Sequence, residues 1–185
     1  MKIAVLLYPA CSLQEITTLT SILCLSFGQS LDYLASEKKI YTSEEGLQVI
    51  PDFTFKEVQG VVYDCIILPG TQEPFVSLYD SRLISFLKNV DIKRTIVAAI
   101  SSSPMFLGKA GLLRNRYYTG GLYMELVDYF SFFGKRKYAP SASCKRQECY
   151  HSYWICLYNI FSDCFGYFRI CLLYTSPSPR DRQKS

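Results

Sequence analysis

The stretch Thr95–Pro104 reads TIVAAISSSP, and it decides the fold. Residues 95–100 are apolar without polar alternation, which predicts a strand buried on both faces of a sheet. Pro104 suits the first turn of a helix, where its missing N–H is not needed. The small residues around Ser101 allow a tight strand-to-helix turn that lifts this side chain over a helix N-terminus. The segment therefore predicts a strand, an elbow and a helix, with Ser101 presented to a pocket.

Similar units lie towards the N-terminus. Lys2–Tyr8 is an apolar run that predicts a buried strand, and Leu13–Phe27 has the apolar face of a helix. Val61–Leu68 predicts a further buried strand that ends at Pro69-Gly70, and Asp80 can cap a helix. The residues of that helix predicted to face the core are Leu83, Ile84 and Leu87. Strands without alternation that are followed by helices predict an α/β domain with a parallel sheet covered on both faces.

Three shorter strands complete the predicted sheet and one hairpin. Leu31–Ala35 predicts a strand, and Lys39–Thr42 and Leu47–Ile50 flank a turn. Gly46 in that turn can take the positive φ that a hairpin needs. We expect this small hairpin at one edge of the sheet.

In a parallel sheet the ligand site lies beyond the carboxyl ends of the strands. The loops Pro9–Ser12, Gly70–Thr71 and Ile100–Ser103 should therefore converge. We expect Ser101 at the end of a central strand, with Glu15 beside it.

Each candidate site residue also has a purely structural interpretation. The three serines at 101–103 can simply cap a helix, and Ser12-Leu13-Gln14-Glu15 fits a capping box in which Glu15 accepts from the Ser12 N–H. That interpretation can coexist with Glu15 facing the pocket. Cys11 near the same helix start can be a reactive thiol, but a small buried cysteine is more often inert, which we favour.

Composition excludes several classes of function. The 185 residues fit one domain, and residues 1–140 carry 14 Lys/Arg against 13 Asp/Glu, which gives no nucleic-acid signal. The opening MKIAVLLYP lacks the features of a signal peptide, so we expect a cytoplasmic protein. Only Cys144 and Cys149 have a zinc-type spacing, and Asp163 and Arg169 interrupt the apolar run 152–173. We therefore expect no metal, no cofactor and no membrane span.

The residues after 140 differ from the rest of the chain. Five of the eight cysteines, the single His151 and the single Trp154 lie there. Back-translation of residues 144–156, read one base later, gives VKDKNVITAIGSA, a turn followed by a buried strand. Residues 171–181 read CLLYTSPSPRD and resemble a translated transposon-type sequencing adapter. We therefore expect an α/β domain at 1–140, an out-of-frame segment at 141–170 that replaces the last strand and helix, and adapter read-through at 171–185.

Four ordered motifs carry a resemblance to a known family. They are YPACSLQEI (8–16), YDCIILPGT (63–71), VAAISSSP (97–104) and KAGLL (109–113). Together they resemble the ThiJ/PfpI superfamily, of the class I glutamine amidotransferase-like type, over roughly residues 1–133. The resemblance implies a flavodoxin-like three-layer sandwich with a mostly parallel sheet, commonly as a homodimer. Members include hydrolases, glyoxalases, deglycases, hydratases, chaperones and ligand-sensing regulators.

The resemblance also implies roles for individual residues. The family elbow carries a nucleophilic Cys where this sequence has Ser101, and the carboxylate that partners it matches Glu15. The oxyanion-binding N–H groups match those of Thr71 and Ser102. The pocket is expected to include Cys11, Gly70 and Ser103. A serine hydroxyl needs a true base, and the single histidine lies after residue 140.

Three functions stay open at this point. The first, which fits Ser101 best, is a small-molecule-binding or regulatory, stress-related domain without thiol catalysis. The second is a hydrolase, glyoxalase or deglycase-like enzyme acting on small carbonyl or amide compounds through Glu15 and Ser101. The third is a chaperone-like structural dimer. Turnover abolished by Glu15→Gln would distinguish the second from the first.

Overall fold

A computed structural model describes residues 1–114, 117–118, 128–133 and 149–150 of the chain. Its main sheet has five parallel strands in the order β5-β2-β1-β6-β7. Their bounds are β1 Ile3–Leu6, β2 Leu31–Ala35, β5 Phe53–Thr54, β6 Cys65–Leu68 and β7 Ile96–Ala99. Two small sheets lie apart from it: β3 Tyr41–Thr42 with β4 Gln48–Val49, and β8 Tyr117–Tyr118 with β9 Cys149–Tyr150.

The strand register brings three strand ends to one level. Ile3 of β1 aligns with Leu31 of β2 and with Cys65 of β6, and Leu68 of β6 aligns with Ala99 of β7. The chain therefore leaves β1, β6 and β7 at the same carboxyl edge of the sheet.

Helices cover both faces of this sheet. The helices are α1 Gln14–Ser21, continued by a π-helical turn at Ile22–Ser26, then α2 Pro74–Leu78, α3 Ser81–Lys88 and α4 Pro104–Lys109. Within β1, Ala4 and Leu6 pack in one buried cluster with residues of α3 and α4, whereas Ile3 and Val5 pack in a second cluster with residues of α1. Alternate side chains of one strand thus enter two cores, which makes the domain a three-layer α/β sandwich of the flavodoxin-like class, as predicted.

The predicted helix at residue 80 is confirmed in detail. The Asp80 carboxylate accepts a hydrogen bond from the Arg82 N–H at 3.0 Å, so Asp80 is the N-cap of α3. Leu83, Ile84 and Leu87 are buried. An N-cap of this kind satisfies one of the N–H groups that a helix start leaves unpaired.

Other expectations need correction. The β3–β4 hairpin forms with Gly46 at φ +83°, but it pairs as a separate sheet instead of joining the edge of the main one. β7 is the outer strand of the part of the sheet that is described, not a central one. The short β5 and α2 were not predicted, although Pro74 at the start of α2 is a recognisable signal. The predicted out-of-frame segment 141–170 and the predicted read-through segment 171–185 lie outside the described residues, except for β9.

Candidate functional site

The turn between β7 and α4 holds Ser101 in a strained backbone conformation. Its φ is +58°, in the left-handed region that costs about 1–2 kcal/mol for a residue other than glycine. Ser103 fixes the turn, because its hydroxyl donates to the carbonyls of Ile100 and Leu68 at 2.7 and 3.0 Å. Ala10, in the loop after β1, is also at positive φ, +51°. Among the described residues, the strained non-glycine positions thus lie in two of the converging loops, which favours a functional site there.

Glu15 reaches this elbow from the first turn of α1. Its Oε2 accepts a hydrogen bond from the Gly70 N–H at 2.8 Å. A Cβ at Gly70 would lie 2.3 Å from that Oε2 and 2.7 Å from the Ser101 Cβ. The missing side chain of Gly70 is therefore what lets the Glu15 carboxylate and Ser101 approach each other.

The electrostatic environment of Glu15 favours its neutral form. Burial raises the pKa of Glu15, whereas hydrogen bonds from the Gly70 N–H and the Ser101 hydroxyl lower it. The negative charges of Glu44 and Glu45 on the nearby hairpin raise the pKa further, and the net shift is upward. A carboxyl with a raised pKa can hold a proton for exchange with a bound ligand.

The capping-box interpretation of residues 12–15 does not hold. The Ser12 N–H donates to the Gly70 carbonyl at 2.8 Å, while the carboxylate of Glu15 turns to the Gly70 N–H. The N–H of Gln14 is instead bound by the Glu45 carboxylate of the hairpin at 2.8 Å. The start of α1 is thus capped from a distant part of the chain, which leaves Glu15 available to the site.

A second contact joins the loop after β6 to the elbow. The Thr71 N–H donates to the Ser102 hydroxyl at 3.0 Å, and the same hydroxyl donates to the Thr71 carbonyl at 3.0 Å. The Thr71 side chain donates to the Pro9 carbonyl at 2.9 Å. The backbones of Thr71 and Cys11 also pair as an isolated antiparallel β-bridge. These bonds tie the loops after β1, β6 and β7 together.

The floor of the site is buried and apolar. The Tyr8 hydroxyl donates to the Pro69 carbonyl, and burial raises the pKa of Tyr8 well above its usual range. Cys11 is fully buried, and burial raises the pKa of its thiol, with Glu45 and Glu44 adding to the shift. The Cys11 thiol is therefore protonated at neutral pH and poorly nucleophilic.

The predicted site residues come together at one edge of the sheet. They are Cys11, Glu15, Gly70, Thr71, Ser101, Ser102 and Ser103. The sequence did not point to Tyr8 or to Glu44 and Glu45, although the paired acids in the hairpin turn were visible. Neither three clustered metal-binding side chains nor a helix long and apolar enough to cross a membrane occurs in the described part of the chain. Two earlier candidates lie outside the described residues: the Cys144 and Cys149 pair considered for zinc, and the apolar run 152–173. Only the backbone of Cys149, in β9, is described.

This architecture defines a class of protein: a flavodoxin-like domain whose strained strand-to-helix elbow faces a carboxylate from the first helix. Residues 1–139 match the DJ-1/PfpI family, and the chain belongs to that family. It is 32% identical over 85 residues to Deglycase PfpI of Pyrococcus furiosus, and to Deglycase PH1704 of Pyrococcus horikoshii. Each alignment covers 45% of this chain and 51% of the relative, so the chain matches about half the length of these curated relatives.

Solved structures share the fold. The DJ-1 superfamily protein Atu0886 from Agrobacterium tumefaciens superposes with a TM-score of 0.73 at 19% identity, over 92% of each chain. DJ-1beta of Drosophila melanogaster superposes with a TM-score of 0.64 at 18% identity, over 80% of each chain. At these identities the likeness establishes the fold alone, and it agrees with the family predicted from the four sequence motifs.

Proposed function

We propose that this protein is a small-molecule-binding or regulatory domain that takes its ligand at the elbow and does not use thiol catalysis. The observation that carries the proposal is Ser101, held at φ +58° where the family resemblance implies a cysteine. A ligand with a carbonyl or carboxyl oxygen suits the site, because peptide N–H groups and a carboxyl with a raised pKa face the elbow.

The chemistry of serine supports this choice. A thiol at a helix start forms a thiolate near neutral pH, but a serine hydroxyl needs a strong general base. Glu15 is the titratable group beside Ser101, and a carboxylate is a weak base for a hydroxyl. The single histidine, His151, follows the family match. These features support binding at the elbow without an activated nucleophile.

Binding can be tested by NMR titration of the full chain with a panel of small aldehydes, carboxylates and amides. The proposal expects chemical-shift changes at the amides of Gly70, Thr71, Ser101 and Ser102, with no product formed. Changes confined to residues far from the elbow, such as Arg94, would contradict it. Turnover that Glu15→Gln abolishes would favour an enzyme instead.

A deglycase-like enzyme is the second candidate, and the deglycase names of the relatives favour it. In that case Glu15 acts as general acid and base, and Ser101 or a water molecule is the nucleophile. The test is release of free amine from an amino acid glycated by a small dicarbonyl compound. Release by the wild type and not by Glu15→Gln supports this candidate, whereas equal release by both variants excludes it.

We also infer a homodimer, which rests on the family resemblance, and we keep the cytoplasmic location as a proposal from the sequence. Sedimentation equilibrium tests the dimer: a single species at the mass of one chain would contradict it. The same family match ends at residue 139, and the change of reading frame after residue 140 remains our proposal for the residues that follow. Genomic sequence with an uninterrupted frame through codons 140–185 would overturn that proposal.

A further inference from the structure

The three consecutive serines of the elbow use their hydroxyls in three different directions. The Ser101 hydroxyl faces Glu15, and the Ser103 hydroxyl binds the carbonyls that end β6 and β7. The Ser102 hydroxyl alone binds the loop after β6, where it accepts from the Thr71 N–H and donates to the Thr71 carbonyl. Ser102 therefore needs an explanation separate from that of its neighbours.

Three peptide N–H groups lie close to Ser101. That of Gly70 is taken by the Glu15 carboxylate at 2.8 Å, and that of Thr71 is taken by the Ser102 hydroxyl at 3.0 Å. The Ser102 N–H donates to no acceptor within the described residues. An oxygen that develops negative charge beside residue 101 is stabilised only by donors that are free to reach it. In this structure the Thr71 N–H is not free.

We propose that the Ser102 hydroxyl is an internal stand-in for a ligand oxygen and closes the Thr71 half of an oxyanion site. The inference deepens the proposed function and rests on it, since it assumes that ligands bind at the elbow. A ligand carbonyl or carboxyl oxygen binds both the Thr71 and Ser102 N–H groups only after the Ser102 side chain rotates away. Ser102 is thus a specificity-determining residue that weakens binding of every ligand lacking enough other contacts to displace it.

The rotation has a defined cost. When it rotates, the Ser102 hydroxyl loses the hydrogen bond that it accepts from the Thr71 N–H and the one that it donates to the Thr71 carbonyl. The ligand oxygen takes over as acceptor for the Thr71 N–H, so one neutral hydrogen bond is lost. Loss of one neutral hydrogen bond, about 1 kcal/mol, corresponds to a factor of about five in an equilibrium or rate constant. Removing the Ser102 hydroxyl should therefore raise the equilibrium or rate constant at least about fivefold. The increase is expected only in a process that places an oxygen at the Thr71 N–H.

A pair of reagents separates this effect from general reactivity. In a Ser101→Cys background the thiolate attacks the carbonyl carbon of p-nitrophenyl acetate, so that a C–S bond forms and the carbonyl electron pair moves to oxygen. Collapse of this oxyanion breaks the ester C–O bond and expels p-nitrophenolate, leaving a thioester at residue 101. Iodoacetamide alkylates the same thiolate by displacing iodide, and no oxyanion forms. The ratio of the two rate constants therefore reports the oxyanion site.

The experiment compares Ser101→Cys alone with the same chain that also carries Ser102→Ala or Ser102→Thr. Acylation and alkylation of residue 101 are followed by site-resolved mass spectrometry. We expect Ser102→Ala to raise acylation at least about fivefold while alkylation changes by less than about twofold. Ser102→Thr keeps the hydroxyl and should show the original ratio.

Amide hydrogen exchange gives a second readout that does not depend on catalysis. The Thr71 amide should exchange faster in Ser102→Ala than in wild type and Ser102→Thr, while the Gly70 amide keeps its protection by Glu15. Loss of protection at both amides means that the loop has unfolded, which would overturn the inference of a local gate.

The outcomes distinguish the two proposals. Equal acylation with and without the Ser102 hydroxyl overturns the gate but leaves ligand binding at the elbow intact. A residue 101 thiol that is alkylated but acylated in neither variant overturns both. An increase in acylation that appears with Ser102→Thr as well as with Ser102→Ala also overturns the gate, because the effect would then not depend on the hydroxyl.

Discussion

The two ends of the parallel sheet differ in what fills the space beyond the strands. At the carboxyl end, hydrogen bonds between Glu15 and Gly70, and between Ser102 and Thr71, tie the loops around the elbow together. At the amino end, a groove of about 490 Å³ lies between α3 and the segment before β6. Phe55 and Phe86 stack at its wall, with ring centroids 4.7 Å apart.

The groove lacks the features that favour a functional site at the elbow. The groove wall includes Val61 and Val62, 38% and 49% exposed, and Gly60, whose added Cβ would meet nothing within 4 Å. The carboxyl end instead combines strained backbone at Ser101 with a carboxyl whose pKa is raised. Backbone strain and perturbed pKa values both cluster at functional sites.

The largest effect on ligand binding should come from adding one methyl group at the carboxyl end. Gly70→Ala places a Cβ 2.3 Å from the Glu15 Oε2 and 2.7 Å from the Ser101 Cβ, so the carboxylate and the elbow must separate. Overpacking of this kind costs about 1–3 kcal/mol of stability. We expect ligand-induced shifts at the elbow to disappear in NMR titration.

The matched change at the amino end is Gly60→Ala. Gly60 is at φ +85° with open space around it, so the substitution strains the backbone by about 1–2 kcal/mol and displaces nothing. Ligand binding at the elbow should stay at the wild-type level. Equal loss of binding in both variants would show that the two ends are not independent.

The second prediction concerns a substitution at the amino end of the sheet alone. Phe86→Ala removes one ring of the Phe55 stack and enlarges the groove, which should lower the free energy of unfolding by about 2–4 kcal/mol. Urea unfolding measures this loss. The alkylation rate of a cysteine at residue 101 should not change in the folded protein, and a slower rate would mean that the groove supports the elbow.

The third prediction concerns pH and is the smallest. The folded pKa of Glu15 lies above its ordinary value of 4.5, so the folded state binds more protons and wild type loses stability as pH rises above 4.5. Glu15→Gln cannot titrate, so its stability relative to wild type should increase from pH 4 to pH 7. Because Glu15 is only partly buried, we expect less than about 1 kcal/mol.

Glu37 provides the control with the opposite sign. The Lys39 and Arg82 side chains lower its pKa to about 2, so it contributes stability above its ordinary pKa of 4.5 that is lost as pH falls towards 2. Glu37→Gln should therefore be less stable than wild type at pH 7, with the difference shrinking in acid. Urea unfolding at several pH values measures the stability of both variants relative to wild type. A pH dependence of the same sign for Glu15→Gln and Glu37→Gln would contradict the upward shift that burial gives the pKa of Glu15.

The sequence predicted those elements whose signals are local. The apolar runs of β1 and β6, the Asp80 cap and the buried Leu83 and Leu87 all follow from patterns a few residues long. The two-residue β5 was missed because Phe53 and Thr54 gain strand character only by pairing with β2. A strand this short has no periodicity of its own to detect.

The site was predictable in its parts but not in its hydrogen bonds. The elbow, Glu15 and the loop at Gly70 follow from motifs and from the rule for strand ends. The capping box does not form because Glu45, 31 positions after Gln14, caps α1 instead. The Ser102 bond to Thr71 likewise joins two loops, so no pattern within either loop reveals it.

The central claim is that residue 101 is presented at a helix start beside Glu15, and alkylation of Ser101→Cys tests it most directly. The α4 N-terminus favours a thiolate at residue 101. Glu15 adds to this only while it is protonated and donates a hydrogen bond, since its ionised form would oppose the thiolate. Site-resolved mass spectrometry with iodoacetamide at neutral pH compares it with Cys11, Cys24 and Cys65, of which Cys24 is exposed. Residue 101 should react faster than all three, Cys24 included. A residue 101 thiol that reacts no faster than Cys24 would mean that the elbow is only a packing turn.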